Sequence, residues 1–192
     1  MPALMSVEGV LVVVTVLLML GWYLSYTATR VDRLHQKVEG SRAALDAQLV
    51  RRAAAAGEVA QHLDPAAGLL LVDAATASLT QGESAVGDAD PRDVPPQLEE
   101  VENHLSRTLD EVFAEPQVVA LLRAEPFGGD VLEVLAQACQ RVQWARRFYN
   151  DAVAQTQRVR RKRVVRWARL AGRAPMPQMI EIDDAPPSGL GG

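Results

Sequence analysis

The sequence predicts an all-α membrane protein, an N-terminal transmembrane helix followed by an antiparallel bundle of long helices. Three observations predict it. Residues 9–26, GVLVVVTVLLMLGWYLSY, form an almost unbroken apolar run. Beyond that run, apolar residues recur at the 3/4 spacing of one helix face, with few strand signals. Aromatics make up only 5% of the 192 residues, and much of the apolar content is Ala, Val and Leu, a composition suited to helices packed at close range.

Eighteen residues at about 1.5 Å each span roughly 27 Å, close to the hydrocarbon thickness of a bilayer. Leu4, Met5 and Val7 lengthen the span if Glu8 snorkels. Thr15 and Ser25 can bond back to their own helix, and Trp22, Tyr23 and Tyr26 cluster at the end of the run, where amphipathic rings settle at headgroup level. A buried core helix is the alternative within a soluble fold, and a cleaved signal peptide is the more serious one. Against a signal, no Lys or Arg precedes the run, and Thr27-Ala28-Thr29 makes a poor small-x-small cleavage site. Arg30, Arg33, Lys37 and Arg42 follow the run, so the positive-inside rule puts the N-terminus outside and the body in the cytoplasm. The expected division is residues 1–8 extracytoplasmic, 9–27 transmembrane, 28–172 a cytoplasmic helical bundle and 173–192 a flexible Pro/Gly-rich tail.

The first cytoplasmic helix runs from Thr29 to His62. Val31, Leu34, Val38, Leu45, Leu49, Ala53, Ala56, Val59 and Leu63 form its stripe; no Pro separates it from the span, and Asp64-Pro65 ends it. Ala66 to Leu79 is a shorter apolar helix. Gln81 to Pro96 mixes Gly, Pro and acids without periodicity and reads as an exposed loop. Pro96 and the acids Glu99, Glu100 and Glu102 mark the next helix start, and Leu98, Val101, Leu105, Leu109 and Val112 its buried face. Pro116 interrupts it, and a short apolar piece, Val118 to Arg123, leads to the Pro126-Phe127-Gly128-Gly129 turn. Asp130 is the expected N-cap of the last long helix, whose stripe is Val131, Leu135, Ala138, Val142, Ala145, Tyr149, Ala152 and Val159. No internal repeat is evident.

Two segments carry a family likeness. Asp46, Gln48, Leu49, Arg51 and Arg52 form a D-x-Q-L-x-R-R motif, and Ala145, Arg146, Arg147, Phe148, Tyr149, Asn150, Asp151, Ala152 and Val153 spell A-R-R-F-Y-N-D-A-V. With the N-terminal apolar helix, their order and spacing make the chain resemble the LemA family over nearly its whole length, and Ala168 to Asp184 resembles a diverged copy of that family's C-terminal segment. The chain departs from the pattern after Arg52, where Ala53 to Gly57 replaces an I-P-N-L-type stretch, and at Cys139-Gln140, where the family tends to carry Glu-Asn. The likeness implies a bacterial single-pass membrane protein with a helical cytoplasmic domain; it implies no defined activity.

Read as side chains on helices, Asp46 to Arg52 and Arg146 to Asp151 set opposite charges three to five residues apart, suited to local or interhelical ion pairs. Phe148 and Tyr149 point about 100° apart, so one can enter the core while the other meets an edge or a partner. His35, His62 and His104 stand alone without metal-ligand spacing, and no G-x-S-x-G or phosphate-loop pattern occurs. A lone cysteine, Cys139, excludes an intramolecular disulfide and suits a small buried position. No catalytic residue, cofactor or metal is therefore expected.

The net charge of −4 conceals segregation: Glu83 to Glu115 is mainly acidic, while Arg158 to Arg173 holds eight of the twenty Lys and Arg residues. Arg158, Arg160, Arg161, Lys162, Arg163, Arg166 and Arg169, with Trp167 as interfacial anchor, are expected to meet anionic lipid at the membrane surface. An acidic face of a neighbour and a nucleic acid are the competing partners for that stretch. The resulting expectation is a membrane-anchored scaffold that self-associates into a homo-oligomer. The alternative is an accessory or regulatory subunit of a membrane-bound enzyme, a protease or sensor kinase.

Overall fold

In the computed structural model, which describes residues 7–88, 95–162, 165, 175–187 and 189–190, the periodic segments become five helices: α1 (Val7–Ala60), α2 (Pro65–Asp88), α3 (Pro96–Phe113), α4 (Pro116–Ala124) and α5 (Gly128–Arg160). No strand occurs among the described residues.

The 54 residues of α1 reach about 80 Å in one piece. Its first part holds a segment long and apolar enough to cross a membrane, and none of that window is buried inside the protein. Thr15 and Thr27 hydroxyls donate to the carbonyls of Leu11 and Tyr23, four residues back, so neither leaves a polar group exposed along the run. From Val31 onward the same helix turns a stripe inward: Val31, Leu34, Val38, Leu45, Leu49, Ala53, Ala56 and Val59 are buried, with Arg42 and Arg52 buried among them.

Asp64 ends the α1 connection and starts α2 by accepting the Ala66 and Ala67 amides at 3.0 and 3.2 Å, with Pro65 leading the helix. Helix α2 then continues to Asp88, through residues expected to be loop from Gln81 onward. At Gly82 the helix still runs beside α1. A Cβ there would lie 3.6 Å from the Val50 side chain. The helix thus continues through a glycine that costs roughly 1 kcal/mol inside a helix.

Helix α5 begins two residues before Asp130, the expected N-cap. Phe127 takes that place instead, at φ 68°, and its carbonyl accepts the Asp130 and Val131 amides. Gly128 is required here, because a Cβ would come within 1.9 Å of the Leu122 carbonyl. Asp130 sits in the first turn, where its charge suits the helix N-terminus.

Three apolar clusters fill the interior. Ala53 to Ala60 of α1 pack with Leu71, Leu105, Leu109, Phe113, Leu122 and Leu135 at one end. Val38, Leu45 and Leu49 meet Leu98, Val142, Tyr149 and Val153 in the middle. Val31 and Leu34 meet Val159 and Val165 nearest the apolar half of α1.

The C-terminal segment corrects the expectation of a flexible tail. Residues 175–187 adopt no regular secondary structure, yet Ile180 and Ile182 are buried in the middle cluster and Leu190 joins the far one. Gly189 passes so close to Phe113 that a Cβ would meet its carbonyl at 2.5 Å. Proline at 175, 177, 186 and 187 confines any helix here to a short stretch, and in the extended chain residues two apart share a face, so Ile180 and Ile182 enter the core together.

Candidate functional site

Both motif segments lie on packed helices, and each divides by helical direction into an inward and an outward set. On α1, Leu49 and Arg52 point into the core, Asp46 and Gln48 are half-buried and Arg51 is exposed. On α5, Tyr149 is fully buried, Ala145, Arg146 and Asn150 are half-buried, and Arg147, Phe148 and Asp151 face solvent. Phe148, 69% exposed, and Trp144, four residues earlier, both lie exposed on the outer face of α5.

The inward α1 residues build a buried polar network. Arg52 Nη2 meets Glu102 Oε2 at 2.6 Å, and both residues are almost wholly excluded from solvent. Ser78 of α2 donates to the other Glu102 oxygen at 2.6 Å, while Arg52 Nη1 donates to Ser106 Oγ at 3.1 Å. Ser106 in turn donates to the Asp183 carbonyl of the C-terminal segment. One ion pair therefore joins α1, α2, α3 and the tail. Glu102 was expected only as a helix-start acid; it lies on the buried face of α3, four residues beyond Leu98.

Nearly three turns earlier on α1, buried Arg42 pairs with Asp46 at 2.9 Å, and its guanidinium lies over the Tyr149 ring at 5.9 Å from the centroid. Burial pushes the Asp46 carboxyl above its ordinary value, against the opposing pull of Arg42. Burial likewise raises the Tyr149 phenol, again opposed by Arg42. Between these two networks a cleft of about 60 Å³, room for one or two waters, is lined by Asp46, Leu49, Val50, Ser78, Gly82, Leu98 and Glu102. The Gln48 amide oxygen and Arg42 Nη1 are buried and find no hydrogen-bond partner among the described residues.

The inward α5 residues grip the C-terminal segment. Tyr149 donates to the Gln178 carbonyl at 2.8 Å. The Asn150 amide reads both backbone groups of Ile180, donating to its carbonyl at 2.9 Å and accepting its N–H at 3.0 Å. Arg146 clasps the Asp184 carboxylate with two bonds, Nε to Oδ2 at 2.6 Å and Nη2 to Oδ1 at 2.9 Å. That carboxylate holds the guanidinium above its ordinary value. Gln143 and Gln157 donate to the carbonyls of Asp184 and Pro177. From the opposite wall, α3 offers the Glu99 carboxylate to the Glu181 amide at 2.8 Å and Asn103 Oδ1 to the Asp183 amide at 2.6 Å. The α3–α5 groove is thus a built site for an extended peptide, occupied by the chain's own residues 177–184.

The basic end of α5 falls beside the cluster closest to the apolar run. Arg158, Arg161 and Lys162 are exposed there. Arg160 bends back to donate to the Pro175 carbonyl. Arg163, Arg166, Trp167 and Arg169 lie outside the described residues. Cys139 is buried, and burial raises its thiol above the ordinary value. Among the described residues no group of three or more His, Cys, Asp or Glu is placed to hold a metal ion. His62 approaches Glu125 at 3.4 Å, linking the α1–α2 connection to the end of α4.

The sequence carried signals for part of this. Ile180-Glu181-Ile182 alternates as an extended, half-buried segment does, and Arg52 falls on the same stripe as Leu45 and Leu49. Asn103, Ser78 and Ser106 had none, since a hydroxyl or amide that meets a backbone group on another element leaves no pattern along its own. No family model matches the chain, and it matches neither a curated protein nor a solved structure.

Proposed function

We propose that this chain is a single-pass membrane scaffold of the LemA type, whose cytoplasmic part is an antiparallel helical bundle that associates with copies of itself. The observation that carries the reading is the continuity of α1. The helix that holds the apolar run is the same one whose Val31, five residues beyond Tyr26, enters the core. A domain built this way stands rigidly on its anchor, held at one height and in one orientation. That is useful for assembling neighbours and unneeded in a freely diffusing enzyme.

Arg30, Arg33 and Lys37 directly after the run favour a cytoplasmic domain. The company of Val159 and Val165 with Val31 and Leu34 supports bringing the basic end of α5 to the headgroups, where Arg158, Arg161, Lys162, Arg163, Arg166 and Arg169 meet anionic lipid and Trp167 anchors at the interface. No catalytic step, cofactor or nucleic-acid partner is part of this reading. The exposure of Trp144 and Phe148 on one face of α5 favours one second reading, an accessory subunit that docks this face on a membrane-bound enzyme such as a protease or sensor kinase.

Mass measurement of the intact assembly, purified in mild detergent from native membranes, separates the two. A defined multiple of one chain supports the scaffold, and a stoichiometric foreign subunit supports the accessory reading. A monomer at every concentration refutes self-association. A reporter fused after Gly192 should be active only in its cytoplasmic form; periplasmic activity there would overturn the orientation.

A further inference from the structure

We infer that the α3–α5 groove is the self-association site itself, and that its partner is the 177–184 segment of a second copy of this chain. The inference rests on the scaffold reading and names the contact through which it works.

The groove recognises its occupant almost wholly through the backbone. Asn150 takes both polar groups of Ile180 from one side, while Glu99 and Asn103 take the amides of Glu181 and Asp183 from the other. Recognition of this kind accepts any extended chain that adds the right few side chains. Here those are two buried isoleucines spaced by two and an aspartate for the Arg146 fork. A second copy presents that set without alteration, so the exchanged pair keeps every contact of the closed chain and needs no new interface.

Geometry permits the exchange. Because α1 is continuous, the groove of every anchored copy lies at the same height over the bilayer, and a neighbour's segment arrives in register. Nine residues separate Val165 from Pro175, a reach of up to about 35 Å when extended. Contacts being equal in the two arrangements, straps from neighbouring copies, concentrated by confinement to a membrane, compete with the chain's own strap on its nine-residue link. Exchange is reciprocal, so the unit formed is a two-fold pair.

Reversing the charge of the fork tests this in the full-length chain. R146D carrying one tag and D184R carrying another are reconstituted in lipid nanodiscs, separately and after co-expression. Alone, each sets like charges against each other in its own groove and in any pair with itself. Together, an exchanged pair has opposite charges at both forks. We expect co-purification of the two tags at least tenfold above that of either variant with itself, and a melting temperature for the mixture restored toward wild type. Absence of a gain on mixing, with recovery only in the R146D/D184R double variant, would overturn the exchange.

Photocrosslinking from a benzophenone amino acid replacing half-exposed Met179 keeps the question open to refutation should a charge variant fail to fold. Bonds between differently tagged chains are expected, and bonds within one chain alone refute the proposal. A wild-type oligomer that survives both charge variants unchanged refutes the exchange yet leaves the scaffold standing. A wild-type monomer in the same nanodiscs removes both.

Discussion

Replacing Glu102 with Gln should destabilise the protein severely, although the change is nearly isosteric and lies far from the apolar run. Arg52 and Glu102 are 2% and 1% exposed and meet at 2.6 Å. Gln removes the negative charge and leaves the Arg52 cation buried without compensation, a change that costs about 3–5 kcal/mol when one partner of a buried pair is lost. The Gln amide must also present its NH2 either to Arg52 or to the Ser78 hydroxyl, replacing an acceptor by a donor at one of them. For a chain of this size each kcal/mol lowers the melting temperature by about 2–4 °C, so the expected fall is roughly 6–20 °C. The comparison is Arg52→Met with Glu102→Leu, which removes both charges at similar volume. That double variant should melt well above E102Q, short of wild type only by the bonds that Ser78 loses to Glu102 and Ser106 loses from Arg52, at about 1 kcal/mol each. Far-UV circular dichroism of the full-length protein in mild detergent reads both. A fall under about 3 °C for E102Q, or a double variant no more stable than E102Q, would refute the reasoning, because the pair would then be solvated or mechanically unimportant.

Leu45→Asp should abolish cooperative melting of the domain. Leu45 is fully buried in the middle cluster, and losing it while burying an unpaired carboxylate costs more than about 5 kcal/mol; a variant that melts like wild type would contradict the packing. Stability should also depend on the Asp46 carboxyl. Its value is raised in the folded protein, chiefly by burial, so the folded state binds the proton more tightly than the unfolded one. The stabilisation from that proton is full below the unfolded value and is lost as pH rises through the raised folded value. Denaturant midpoints measured just above the ordinary carboxylate range should fall with rising pH, and Asp46→Asn should flatten that slope; an unchanged slope in the variant assigns it to another group. A fragment beginning at Thr29 should bind anionic vesicles in a salt-sensitive way and neutral ones hardly at all. Replacing Arg160 to Arg163 with Gln should abolish the binding and leave helical content intact, whereas equal binding by the variant, or tighter binding to duplex DNA at the same salt, rules the lipid contact out.

The sequence by itself determined the all-helical class, the long apolar helix and the inward faces of α1, α3 and α5, because these follow from local spacing: residues three and four apart share a side whatever else the chain does. The stripe from Val31 to Val59 and that from Val131 to Val159 could be read without any partner in view. What depended on another element could not. Helix α2 continues past Gln81, where Gly82 runs beside Val50, thirty-two positions away. Helix α5 starts at Gly128, capped by Phe127, where only a glycine can pass under the Leu122 carbonyl. Only the packing of α1 against α3 showed Glu102 to be the partner of Arg52 and not a solvated acid at a helix start. The largest difference is the C-terminal segment, whose prolines read as a flexible end. Its order comes from Tyr149, Asn150, Glu99 and Asn103 bonding to its main chain. Every residue but proline offers the same amide and every residue the same carbonyl. Such bonds leave almost no trace in the composition of the segment they hold. Tertiary structure alone decided that this tail is a strap.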